Sequence, residues 1–108
     1  MPKREQIQAL LEANPQDTFL RFALAKEYEK EGLDEQARLA YESLVKDAPE
    51  YIGTYFHLGK ALERLGEARA AFDIYSSGME MAQQLSETHT YKELAAARFE
   101  LGDEEDFE

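Results

Sequence analysis

The sequence repeats itself with a period of 34 residues, and that period limits the fold more tightly than composition does. The stretch from Tyr55 to Gly78 reads as two amphipathic helices joined by a tight turn at Gly66. Tyr55, Leu58, Gly59 and Leu62 fall on one face of the first helix, and Ala71, Tyr75 and Gly78 on one face of the second. Small residues at Gly59, Ala71 and Gly78 allow close backbones, and Tyr55 and Tyr75 fill the gaps between them. Thirty-four residues earlier the pattern returns as Leu24, Ala25, Tyr28 and Gly32, then Ala37, Tyr41 and Leu44, with Phe22 and Lys26 matching Phe56 and Lys60. One such hairpin cannot bury its apolar face alone, so a fixed period of this kind specifies hairpins stacked on one another.

The residues that carry the period are Tyr55, Leu58-Gly59, Tyr28, Ala37 and Ala71, Tyr41 and Tyr75, and Pro49. In this order the chain resembles the tetratricopeptide repeat family, whose pattern is an aromatic, Leu-Gly and Tyr on the first helix, then Ala, an aromatic, Ala and Pro on the second. It departs at Arg21, where the family prefers an aromatic, at Gly78, where it prefers Ala, and at Gln83, where it prefers Pro. The resemblance implies an all-α, helical-repeat solenoid of about six antiparallel helices in a right-handed superhelical stack. It also implies a concave face, lined by the first helices of successive repeats, on which partner proteins bind.

The expected organisation is a single domain over residues 1–108. Residues 1–15 form an N-terminal half repeat, with Pro2 at the start of a helix over Lys3–Ala13, an apolar stripe of Ile7, Leu10 and Leu11, and Asn14-Pro15 to end it. Residues 17–50 form the first full repeat. Asp17 or Thr18 caps its first helix, Gly32 stops that helix in a left-handed conformation, and Asp34 caps the second. Residues 51–84 form the second repeat. A capping helix over 86–102 follows, beginning at Ser86 or Glu87, with Tyr91, Leu94, Ala95 and Gly102 set 36 residues after Tyr55, Leu58, Gly59 and Gly66. The two additional residues are expected in the loop from Gln84 to Thr88. Residues 103–108 form an acidic tail, expected to be a frayed, solvated end or an occupant of the groove.

Charge and residue inventory exclude several functions. The net charge is −11, which opposes binding to nucleic acid phosphates and anionic membranes. With no cysteine there is neither a disulfide nor a thiol nucleophile, and the reading is a cytoplasmic protein with no signal peptide or membrane span. His57 and His89 lie far apart and form no metal-ligand spacing, and the serines sit in no nucleophile motif. Carboxylate pairs such as Glu27 and Glu31 share a helix face but read as solvated surface rather than a general acid–base pair. No enzyme, no cofactor and no metal is expected.

The remaining candidate is the face that the resemblance makes concave. Phe19, Phe22, Lys26 and Lys30 in the first repeat and Phe56, His57, Lys60 and Arg64 in the second fall on it. Lys26 and Lys30 are one turn apart, as are Lys60 and Arg64, so stacking would align four cations beside two aromatics. Such a strip fits a peptide carrying acidic and apolar residues, or a free carboxylate. The plain alternatives are core packing for the two phenylalanines and a salt-paired surface for the cations. Some members of the family clamp the acidic tails of heat-shock chaperones with a Lys/Asn set. Here Phe22, Lys26 and His57 stand at the positions of that set, so the activity is not carried over. The expected function is therefore protein–protein interaction, as a small adaptor or co-chaperone-like scaffold. The other reading is a self-assembling, homodimeric unit of a larger complex.

Overall fold

A computed structural model describes residues 2–107. Six α-helices follow one another: α1 (Lys3–Ala13), α2 (Thr18–Lys30), α3 (Asp34–Asp47), α4 (Gly53–Arg64), α5 (Ala68–Gln84) and α6 (Thr88–Leu101), with a final 3-10 turn at Glu104–Phe107. Each helix packs on the next, as the short connections require. In addition α2 packs on α4 and α4 on α6, whereas α3 and α5 have no comparable contact. The odd-numbered helices thus form an outer layer and the even-numbered ones an inner layer, in a body of 46 × 30 × 20 Å.

The core lies where the period places its apolar residues. Tyr41, Leu44, Leu58, Tyr75 and Leu94 are completely buried, with Ala25, Ala37 and Ala71 between them. Gly59 is the closest approach. A methyl group there would lie 2.0 Å from Cε1 of Tyr75, so the ring lies directly against the backbone of α4. Gly78 plays the reciprocal part, its Cα facing Cβ of Tyr55 and a methyl of Leu94. In α1 only Ile7 is buried. Leu11 is half-covered and Leu10, expected in the stripe, is exposed, because α1 has a helix on one side only.

The helix ends follow two chemical rules. Asn14 and Ala48, each before a proline, take nearly the same extended conformation (φ −139°, ψ 68° and φ −141°, ψ 67°), so Pro15 and Pro49 stop α1 and α3 in the same way. Gly32 and Gly66 adopt φ of 76° and 79° and close α2 and α4 with paired hydrogen bonds. The N–H of Leu33 donates to the Tyr28 carbonyl at 2.9 Å, and that of Glu67 to Leu62 at 2.9 Å. Asp17 caps α2 through a bond from the Leu20 N–H at 2.9 Å.

Three local expectations are replaced. Asp34 is the first residue of α3 rather than its cap, and its carboxylate turns to Arg64. The additional residues lengthen α5, which has 17 residues to the 14 of α3, since Gln83 stands where a proline would stop the helix. α5 ends with Ser86 at φ 58°, in the conformation glycine holds elsewhere, and α6 begins at Thr88. As far as Phe107 the acidic tail is neither frayed nor in the inner layer, and Glu108 lies outside the described residues. Asp106 accepts the N–H of Asp103 at 2.8 Å, and the ring of Phe107 lies 4.8 Å from that of Phe72 in α5.

Candidate functional site

The inner layer carries an aromatic seam between α2 and α4. The Phe22 ring lies 5.3 Å from that of Tyr51 and 5.4 Å, edge-on, from His57, which lies 5.9 Å from Phe56, again edge-on. Tyr41 stacks beneath His57 at 5.9 Å, and Tyr75 lies 6.5 Å from Phe56. Phe22, Phe56 and His57 are half-buried, so each ring packs with one part and exposes another. Beside Phe22 a recess of ≈ 340 Å³ opens between Glu50, Tyr51, Ile52 and Gly53.

Two of the four cations sit on this seam. The Lys26 ammonium is 5.6 Å from the centre of the Phe22 ring, and the Lys60 ammonium 5.5 Å from that of Phe56. The spacing of 34 residues has placed the same cation–π pair on two adjacent helices. Lys60 also lies 3.6 Å from Glu63. The other two cations are directed elsewhere. Lys30 lies 3.5 Å from Glu27, and Arg64 donates to Asp34 at 2.8 Å and to Glu29 at 2.9 Å. The row of four is therefore divided: Lys26 and Lys60 lie over rings, whereas Lys30 and Arg64 turn to acids away from the seam. Phe19 stands apart, two-thirds exposed at the start of α2.

Glu29 is the polar centre of the site, a role that the spacing of the aromatics and cations did not assign. It accepts hydrogen bonds from the Tyr41 hydroxyl and from Arg64, and its carboxylate lies 3.2 Å from Nδ1 of His57. One carboxylate thus ties α2 to α3 and α4. Burial pushes its pKa up, but the hydrogen bonds from His57 and Tyr41, with the His57 charge and Arg64, outweigh this and hold it below the usual carboxylate value. The Tyr41 hydroxyl is pushed far up, by burial first and then by its bond to Glu29. A signal was present in the sequence. Tyr41 follows Glu29 by 12 residues, Tyr75 follows Glu63 by 12, and the Tyr75 hydroxyl donates to Glu63 at 2.5 Å.

The other carboxylate pair is not bare surface either. Glu27 is buried at 8% exposure and lies 3.4 Å from Lys3, while Glu31 lies 3.1 Å from Arg4. These two pairs stitch α1 to α2, a structural use of acids that share a helix face. Among the described residues no group of three His, Asp or Glu side chains could hold a metal ion, and no helix is long and apolar enough to cross a membrane.

An inner layer of helices with an aromatic, cation-bearing seam is the build of a helical-repeat interaction module. Solved structures agree. A tetratricopeptide repeat domain protein from Salinibacter ruber, known in solution, is 39% identical with a TM-score of 0.78, over 82% of this chain and 89% of that one. A crystal structure of a tetratricopeptide repeat domain protein from the same organism is 39% identical with a TM-score of 0.75, over 79% and 96%. The solution structure of a protein from Bordetella parapertussis is 26% identical with a TM-score of 0.84, over 100% and 94%. No protein-family model matches the sequence, and no curated protein matches it. The chain belongs to the tetratricopeptide repeat family.

Proposed function

We propose that this protein binds an extended or helical peptide of a partner protein across α2 and α4, as a cytoplasmic adaptor or co-chaperone-like scaffold. In this reading residues 17–50 and 51–84 are the two binding repeats, residues 1–15 and 86–102 cover their ends, and residues 103–108 are a tail outside the groove. The observation that carries it is the repeated pair, Lys26 on Phe22 and Lys60 on Phe56, at the same distance on neighbouring helices. Each pair offers a ring face to an apolar side chain and a cation to a carboxylate beside it. A ligand with acidic and apolar residues would satisfy both, and the recess beside Phe22 would take a side chain. Arg64 and His57 act through Glu29, holding α4 against α2 so that the two pairs stay in register. Arg64 contributes the least free charge because Glu29 and Asp34 both hold its guanidinium, while Lys30 and Lys60 each have one acid of their own helix beside them. Phe19 would touch only a ligand that runs past the start of α2.

The test is selection from a displayed random-peptide library on the wild-type protein, with the Lys26→Glu/Lys60→Glu variant as the counter-selecting bait. Neither ammonium makes a buried ion pair, so the variant should keep its helicity and melting temperature. Enriched peptides should be acidic and apolar and should bind the variant at least about tenfold more weakly. Enriched peptides that hold equally well to the charge-reversed protein would overturn the reading.

A further inference from the structure

A third cation lies over a phenylalanine, away from the seam, and this pair is already occupied. Arg98 of α6 lies 5.2 Å from the centre of the Phe72 ring of α5, as Lys26 and Lys60 lie over Phe22 and Phe56. Against Phe72 the tail lays the ring of Phe107 at 4.8 Å, and Phe72 is left 6% exposed. The segment before Phe107 is Asp103-Glu104-Glu105-Asp106, four acids in a row. An acidic segment with an aromatic side chain thus sits on an aromatic ring that has a cation beside it. That is the chemistry of the seam, met here within one chain.

A local device turns the tail back onto α5. Gly102 ends α6 at φ 136°, in the region that favours glycine, and a Cβ there would lie 2.5 Å from a carboxylate oxygen of Asp106. That carboxylate accepts the Asp103 N–H at 2.8 Å, and the Asp103 carboxylate accepts the Glu105 N–H at 3.1 Å. These acids serve the tail's own backbone, and among the described residues no tail carboxylate is ion-paired with a helix. The tail's hold on α5 is therefore one ring on another, a contact that a longer segment would exceed. Asp103 and Glu104 close only one end of a recess of ≈ 400 Å³, which extends along α5 and α6 as far as Met79 and Tyr91. Arg98 donates to Ser76 at 2.9 Å and is ion-paired with no carboxylate among the described residues, so its charge remains for an acid of the occupant.

We propose that Phe72 and Arg98 form a docking site for an acidic, aromatic-bearing segment of a partner protein, and that the chain's own tail covers this site as a tethered, displaceable ligand. The probe is a fluorescein-labelled peptide, Asp-Glu-Glu-Asp-Phe-Glu, with the sequence of residues 103–108, beside the same peptide with Ser for Phe. Both are titrated to millimolar concentration, the order of a tether's effective concentration, against Lys26→Glu/Lys60→Glu protein. Charge reversal silences the seam, so the outcome is independent of the function proposed for it. Phe107→Ser is then added to unseat the tail. With the tail unseated, the Phe peptide should bind at least about tenfold more tightly than with the tail in place, and about tenfold more tightly than the Ser peptide. Arg98→Gln, which keeps a donor for Ser76 and removes the charge, should weaken that binding at least about threefold with an unchanged circular dichroism spectrum. A fluorophenylalanine at position 107 reports on the tail without removing its ring. Excess unlabelled Phe peptide should move its fluorine resonance to the position it has in a free peptide. Equal binding with the tail seated and unseated, no binding once it is unseated, or a fluorine resonance that does not move would overturn the proposal. So would equal binding of the Phe and Ser peptides, or no effect of Arg98→Gln, since the ring or the cation would then select nothing.

Discussion

The hairpins α2–α3 and α4–α5 share a scaffold and differ in what is attached to it. Both close with a glycine in the left-handed region, bury a tyrosine against a small residue, and tie that tyrosine's hydroxyl to a glutamate on the preceding helix. Both lay a lysine over a phenylalanine. The polar surroundings then diverge. Around Glu29 gather Tyr41, His57 and Arg64, and Asp34 holds the other side of the Arg64 guanidinium. Around Glu63 the described residues place Tyr75, with Lys60 at 3.6 Å. The residues set against His57 and Arg64 in α6 are Glu93 and Glu100, which carry the wrong charge to build the cluster a second time. The repeated part of the sequence supports the stack, and the unrepeated part sets how firmly one helix of the inner layer is held to its neighbour.

The sharpest way to break the likeness is at the small residue beneath each tyrosine. Ala25 and Gly59 are equivalent, yet a methyl at Gly59 would fall within 2.0 Å of the Tyr75 ring. Gly59→Ala should therefore lower stability by about 3 kcal/mol, although alanine favours helix. Ala25→Gly should cost only about 1 kcal/mol, the ordinary helix penalty plus a small cavity. Denaturant unfolding of both measures the contrast. In a double-mutant cycle Gly59→Ala and Tyr75→Leu should be strongly non-additive, because the ring is what the methyl meets. Additive effects would remove Gly59 as the seat of Tyr75.

The fold was legible because its information is periodic. Leu24, Ala25, Tyr28 and Gly32 name their partners in Leu58, Gly59, Leu62 and Gly66, and the structure honours the register through every hairpin. The candidate site was legible in part. The spacing set Phe22, Lys26, Phe56 and Lys60 on adjacent helices, and they pair as cation and ring. It could not show that Arg64 leaves the row, because that depends on Asp34 and Glu29 from other helices, whereas the Glu27–Lys30 pair is an i,i+3 neighbour on α2 that the spacing did offer. Long cations reach many neighbours, and helical spacing fixes their Cα positions, not their rotamers. The tail misled for a related reason. Its acids argue for solvation, but Phe107 has a ring to cover, and Phe72 lies within reach.

A second contrast concerns the two glutamates. Glu29→Gln should cost about 1–2 kcal/mol, since the cluster's bonds weaken with the charge and the site is partly screened by solvent. Glu63→Gln should cost less than about 1 kcal/mol. The pH dependence sharpens the difference. Glu29 has a folded pKa below its unfolded value, so its contribution is complete above the ordinary carboxylate range near 4.5. It declines as the pH falls through that range and is lost below the lowered folded value. The stability gap between wild type and Glu29→Gln should close as the solution is acidified through and below the ordinary carboxylate range. A gap that persists in acid would mean that the glutamine disturbs packing rather than charge.

The smallest expected effect tests the third helix end. α2 and α4 close on Gly32 and Gly66, whereas α5 closes on Ser86 at φ 58° with the same pair of hydrogen bonds. The Glu87 N–H donates to the Ala82 carbonyl at 2.8 Å and the Ser86 N–H to that of Gln83 at 3.1 Å. A side chain in the left-handed region costs about 1 kcal/mol against glycine, part of which returns through the greater freedom of glycine in the unfolded chain. Ser86→Gly should therefore stabilise the protein by about 0.5–1 kcal/mol, raising the melting temperature by a few degrees. The reverse changes, Gly32→Ser and Gly66→Ser, should each destabilise by a similar amount, because nothing within 4 Å of either glycine would clash with the added atoms. Equal and opposite shifts would show that the three ends share one backbone geometry and differ only in how well the residue suits it. A fall in stability on Ser86→Gly would instead give the Ser86 side chain a favourable role of its own, and the end of α5 would no longer be a weaker copy of the other two.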